Sequence, residues 1–144
     1  MGYPSKEAKQ EYERAYYQKN LFARRKKSRD YGHSFTGKAH YLIRISKKRA
    51  ETKGWEFNLD WQWVEEKLTQ HCELSGIPFG MENERIEWDS PTLDRIDNSR
   101  GYTKDNCRVI LFSLNALKGS MTDKHMFKLM GCVLGRYPGT KGRI

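Results

Sequence analysis

From residue 6 to residue 29 the chain reads KEAKQEYERAYYQKNLFARRKKSR, in which helix formers dominate and Ala8, Tyr12, Ala15, Tyr16 and Lys19 recur at helical spacing. That stripe is narrow and thinly apolar, so the segment is expected to be an arm lying on a surface or a partner and not part of a core. DYGHSFTG, residues 30–37, breaks the pattern with two glycines. Ala39, Leu42, Ile43, Ser46 and Ala50 then mark the inner face of a second helix ending near Gly54, whose outer face carries Lys38, Arg44, Lys47 and Lys48.

A short apolar stretch from Trp55 to Leu59 precedes Asp60, a suitable N-cap for a helix running to about Gln70. Trp55, Phe57, Trp61, Trp63, Val64 and Leu68 are assigned to the core, with base-stacking as the alternative use of the rings. After the turn HCELSGIPFG and the polar loop MENERIEWDSP, residues 92–97 alternate as a half-buried strand does. DNSRGY is turn chemistry, NCRVILF reads as a second strand, and SLNALKG is a helix closing on Gly119. Thr122 caps a last helix over 123–134, with Met126, Leu129, Met130, Val133 and Leu134 on its apolar face. The fold class expected is α+β, a hairpin plus helix flanked by helices. The chain divides into a basic helical arm over 1–37, a domain over 38–136 whose core motif is 92–119, and a flexible tail over 137–144.

Charge changes the picture. Residues 1–53 hold 15 basic and 5 acidic side chains, a net +10, whereas residues 54–144 hold 12 and 13, a net −1. Blocks such as FARRKKSRD attract polyanions, which points to nucleic acid first and an acidic membrane surface second. No apolar run approaches the ~18 residues that span a bilayer, and no hydrophobic leader opens the sequence. Cys72, Cys107 and Cys132 are odd in number and widely spaced, which fits neither a disulfide framework nor a CxxC pair and suits a reducing compartment. A soluble, cytoplasmic protein is expected.

Two residues of the motif need a reason. Asp94 falls inside a strand and Asn115 inside a short helix, where an amide lowers helix propensity and needs a partner if buried. Facing each other across a hairpin–helix unit, a carboxylate oxygen and an amide oxygen would suit a hard divalent cation such as Mg²⁺.

LDRIDNSRGYTKDNCRVILFSLNALKG resembles the ββα-metal core of the HNH nuclease superfamily, in particular its degenerate phage-type members. CELSGIPF and KKRAETKGWEFNL upstream are similar to elements of the same proteins, so the likeness runs over roughly residues 40–120. An arm like residues 6–29 also accompanies phage proteins of the HNH or recombination endonuclease VII type, and the resemblance leaves homing, mobile-element, restriction-like and branched-DNA-resolving roles open.

The resemblance implies that Asp94 and Asn115 are metal ligands for Mg²⁺ or Mn²⁺ and that Asn106 braces the loop between the strands. It also implies that the position after Asp94 holds the histidine that deprotonates water. Here that residue is Arg95, which cannot act as a base at neutral pH but can clamp a phosphate. His71, Asp97 or a metal-bound water are the remaining takers of the proton, with His125 a weaker one. His33 and His40 lie in the basic half and suit phosphate contact or plain exposure.

Relatives that tie the hairpin with two CxxC pairs bind zinc. Here the corresponding positions read Cys72, Ser75, Leu111 and Leu114, so no structural zinc is expected and apolar packing takes its place. Cys107 and Cys132 are assigned to buried positions.

The function implied is metal-dependent hydrolysis of DNA phosphodiesters. Phosphate contacts are expected from Arg24, Arg25, Lys26 and Lys27 of the arm, Arg44, Lys47 and Lys48 of the second helix, and Arg95, Arg108 and Lys118 of the motif. A monomer would nick, and a homodimer would be needed for a double-strand break. The competing readings are a catalytically inactive HNH-like module for DNA binding or packaging and, on charge alone, an RNA-binding protein.

Overall fold

A computed structural model describes residues 4–136; the expected tail over 137–144 lies outside them. Its elements run α1 (Lys6–His33), α2 (Phe35–Lys53), α3 (Trp61–Leu68), β1 (Pro91–Arg95), β2 (Cys107–Leu111), α4 (Phe112–Lys118) and α5 (Asp123–Arg136). The fold is α+β, as expected.

Ser5 caps α1 by accepting the Ala8 N–H at 3.1 Å, and none of the 28 residues that follow is buried. A helix polar on every side gains nothing from a core, which is why its apolar stripe is so thin. The break expected over 30–37 shrinks to Ser34. Its N–H bonds to the carbonyls of Asp30 and Tyr31, closing α1, while its hydroxyl accepts the Gly37 N–H at 3.1 Å, opening α2. Gly37 is helical and buried, and a Cβ there would lie 1.8 Å from the Tyr31 carbonyl oxygen. The glycine serves close approach of α1 to α2, not a loop.

α2 buries Ala39, Leu42, Ser46 and Ala50 and ends on Gly54 in the left-handed conformation. Asp60 caps α3 through the Trp63 N–H at 2.8 Å, and Val64 and Leu68 turn inward. These side chains meet Leu93, Tyr102, Cys107 and Val109 of the hairpin in one core. Burial of each large aliphatic side chain contributes about 1.5–3 kcal/mol. Trp55, Phe57, Trp61 and Trp63 are half-buried around its rim.

In the two-stranded antiparallel sheet Leu93 faces Val109, Arg95 faces Cys107 and Asp94 faces Arg108. Tyr102 ties the hairpin to the α2–α3 connection, donating its N–H to the Glu56 carbonyl at 2.8 Å and accepting the Asn58 N–H at 3.0 Å. Gly101 is required there, since a Cβ would lie 2.3 Å from the Glu56 carbonyl oxygen. Of the expected apolar face of α5, only Met126 is buried; Leu129, Val133 and Leu134 are 44, 50 and 58 % exposed. Cys132, assigned to a buried position, is exposed on that helix, while Cys72 and Cys107 are buried.

Candidate functional site

α4 lies along β1 and is fixed there by two side chains one helical turn apart. Asn115 donates its amide to Thr92 Oγ1 at 3.1 Å and to the Leu93 carbonyl at 3.3 Å. The carbonyl can only accept, so it sets which way the amide points. Lys118 reaches past it to Asp94, with Nζ 2.8 Å from Oδ1 and 3.0 Å from Oδ2. The same ammonium donates to the Arg95 carbonyl at 2.5 Å and the Ile96 carbonyl at 3.3 Å. Lys118 is 0 % exposed and Asp94 3 %.

Arg108 completes the cluster. Its Nε and Nη2 lie 2.9 and 2.7 Å from Asp94 Oδ2, and its Nη1 and Nη2 lie 2.7 and 2.6 Å from the two carboxylate oxygens of Asp123. Two cations and two carboxylates thus neutralise one another beneath α4. Burial pulls the Arg108 guanidinium down, but bonds from Asp123 and Asp94 outweigh it and hold the group above its ordinary value. The Arg108 guanidinium in turn holds the Asp123 carboxyl below the usual carboxylate range.

This corrects two expectations. In this arrangement Lys118 and Arg108 are not presented to a phosphate: one is fully buried, the other 7 % exposed, and both are engaged with carboxylates. Asp94 and Asn115 do not face each other across an open site either, since their bonds go to Lys118 and Arg108 in one case and to Thr92 and Leu93 in the other. Asn115 lines a cleft of about 530 Å³ together with Thr92, Phe112, Lys38, Tyr41 and Arg49, and Asp94 is not in its lining. Burial in this cleft wall pulls the Lys38 ammonium below its ordinary value.

The donor set does not fit a divalent ion in this arrangement. Mg²⁺ and Mn²⁺ need several converging oxygens. Here the one buried carboxylate already carries two cations, and no group of three His, Cys, Asp or Glu side chains converges among the described residues.

Asn106, 1 % exposed, sits where a loop brace is expected. It accepts the Asp97 N–H at 2.9 Å and donates to the Asp97 and Gly101 carbonyls at 3.0 and 2.9 Å. Arg95 lies on the opposite face of β1 from Asp94. Its guanidinium stacks 3.7 Å from the Trp55 ring centroid and 5.2 Å from that of Tyr102, and donates to the Arg100 carbonyl at 2.7 Å.

His71 is exposed, and no hydrogen bond or ion pair joins it to Asp94, Arg95 or Asn115. Asp97 accepts from the Ser99 hydroxyl and N–H at 2.7 and 2.9 Å, and these bonds hold its carboxyl below the usual range, which makes it a poor base. At the positions considered for a structural zinc, Cys72 packs with Ile110, Leu111 and Leu114. Burial pushes the Cys107 thiol up to about 12, so it is inert.

The remaining cations expected to meet phosphate are exposed: Arg24, Arg25, Lys26 and Lys27 on α1, and Arg44, Lys47 and Lys48 on α2. Arg24 and Arg44 lie over the Tyr17 and Tyr41 rings at 5.2 and 5.6 Å. The 28 residues of α1 give a rod about 42 Å long, rather more than one turn of B-DNA. What the sequence reading missed is the partner of Asp94. Spacing shows only that Lys118, three residues after Asn115, shares its helix face; that its ammonium is buried on Asp94 is seen only in the structure.

No family model matches the chain. Over 74 residues, 51 % of the chain, it is 34 % identical to an uncharacterized 29.0 kDa protein of the dda–modA intergenic region of enterobacteria phage T4, of whose length the match covers 29 %. Among solved structures its fold matches that of the rare-cutting HNH restriction endonuclease PacI, with a TM-score of 0.51 and 18 % identity over 71 % of this chain and 80 % of the other. The chain therefore has an α+β fold like that of an HNH restriction endonuclease and, over about half its length, is similar in sequence to part of a phage protein.

Proposed function

We propose that the chain is a DNA endonuclease of the HNH type, hydrolysing phosphodiester bonds. The observation that carries this reading is the β1–β2–α4 unit. It carries Asp94, Asn106 and Asn115, the residues that the sequence resemblance matches to the HNH motif, within a fold like that of an HNH restriction endonuclease.

Exposed cations on α1 and α2 supply affinity for the backbone. They make it independent of sequence and sensitive to salt. Arg95 is pre-oriented by Trp55 and is only half-buried, so it suits a phosphate clamp and a stabiliser of developing negative charge. Asn106 acts at a distance, holding the loop that fixes the end of β1. Mg²⁺ or Mn²⁺ is the ion such nucleases use, but the donor set as arranged does not fit one. A monomer nicks, and two chains are required to break both strands.

A second reading, an HNH-like DNA-binding module without cleavage, is favoured by one observation: Asp94 is sealed by Lys118 and Arg108 while Arg95 stands in the place of the base. Plasmid cleavage compared between the wild type and Asp94 and Asn115 variants separates the two. Nicking by the wild type supports the first, and a salt-sensitive mobility shift without nicking supports the second.

A further inference from the structure

The surroundings of the Lys118 ammonium are those of a cation site. Four oxygens lie within 3.3 Å of Nζ: both carboxylate oxygens of Asp94 and the carbonyls of Arg95 and Ile96, where β1 runs out into its loop. Asp123 Oδ1 stands behind them at 3.9 Å. Every group facing the ammonium at these distances is an oxygen acceptor, and three N–H donors suit that cage.

A long lysine side chain is rarely buried completely, because doing so requires its charge to be matched on the spot. Here the match is complete. Asp94 and Asp123 balance Lys118 and Arg108, and Arg108 occupies the flank of Asp94 that Lys118 leaves open. A divalent ion added beside Asp94 would meet two fixed cations, and the second carboxylate of the cluster, Asp123, is already held by Arg108 through both of its oxygens.

We propose that the Lys118 ammonium is the resident cation of the Asp94 site. The hairpin–helix unit is then complete without Mg²⁺ or Mn²⁺, and the free chain admits a divalent ion at Asp94 only when Lys118 is displaced. The inference concerns the chain in the absence of DNA. It stands or falls separately from the endonuclease reading, which is judged by DNA cleavage.

The test is Mn²⁺ binding to the full chain without DNA, by electron paramagnetic resonance and titration calorimetry. It compares the wild type, Asp94→Asn, Lys118→Met and the Lys118→Met/Asp94→Asn pair. The wild type and Asp94→Asn are expected to bind Mn²⁺ alike. Lys118→Met is expected to gain a site tighter by roughly tenfold or more, lost again in the double variant. Mn²⁺ binding by the wild type that Asp94→Asn removes and Lys118→Met leaves unchanged overturns the proposal. So does a folded Lys118→Met chain with no added site.

If Lys118→Met does not fold, the wild type alone decides by NMR. Paramagnetic broadening by Mn²⁺ centred on Asp94 and Lys118 contradicts the proposal, and signals that stay sharp there support it.

Discussion

Lys118 and Asp94, 24 residues apart in sequence, form a buried ion pair of 2.8 Å that joins α4 to β1. The pair explains why a carboxylate stands inside a strand: it is the anchor for the helix that closes the hairpin. Removing one partner leaves a charge buried without its match. Lys118→Met is expected to destabilise the fold by about 3–5 kcal/mol, and adding Asp94→Asn to recover part of that loss. Urea denaturation of the three proteins checks this, and a loss under about 1 kcal/mol would place the ammonium in solvent.

Asn106 holds the other end of the loop. Replaced by alanine, it leaves the Asp97 N–H and the Asp97 and Gly101 carbonyls without their partner. A buried group left unsatisfied costs about 1–3 kcal/mol, so Asn106→Ala is expected to lose at least that much stability. Hydrogen exchange at Asp97 should rise with it, while amides in α2 are affected only through the global loss.

Acid should act through Asp123. Its folded carboxyl lies below the ordinary 3.8 because Arg108 bonds to it, so its contribution is present above that pH and is lost as pH falls toward the folded value. Asp123→Asn is expected to lower the melting temperature at neutral pH and to have a diminishing effect as the pH falls below 3.8. Melting curves of both proteins across that range measure it. An effect of the same size at every pH would exclude the linkage.

DNA affinity should reside in the exposed cations of α1 and α2. Replacing Arg24, Arg25, Lys26 and Lys27 by alanine is expected to weaken binding to unrelated duplexes alike, and to lower the slope of log K against log salt by roughly one for each phosphate no longer neutralised. Replacement of Arg44, Lys47 and Lys48 should do the same from the second helix. Fluorescence anisotropy over a salt series reads both, and an unchanged slope removes α1 from the interface.

Much of this fold is legible in the sequence where one face of an element is buried. Ala39, Leu42, Ser46 and Ala50 announce α2 because packing against α3 requires their spacing, and Leu93 with Val109 announces the hairpin in the same way. The junction of α1 and α2 is not legible, because its two glycines have the composition of a loop while Ser34 caps both helices and Gly37 yields space to Tyr31.

The last helix misleads for the opposite reason. Its apolar positions follow helical periodicity, yet Leu129, Val133 and Leu134 are exposed, and periodicity records only a face, not what covers it. At the site, Asp94, Asn106 and Asn115 stand out as polar residues in apolar surroundings. The roles of Lys118, Arg108 and Asp123 do not, because surface lysines, arginines and aspartates are common and only the tertiary structure shows these to be buried together.

The endonuclease reading rests on one experiment: supercoiled plasmid incubated with the wild type, Asp94→Asn and Asn115→Ala, each verified as folded by circular dichroism, with and without Mg²⁺ or Mn²⁺. Nicked circles produced by the wild type and lost in both variants are the predicted result. Intact plasmid under every condition, together with a salt-sensitive mobility shift by all three proteins, would contradict it and leave a DNA-binding module built on a nuclease fold.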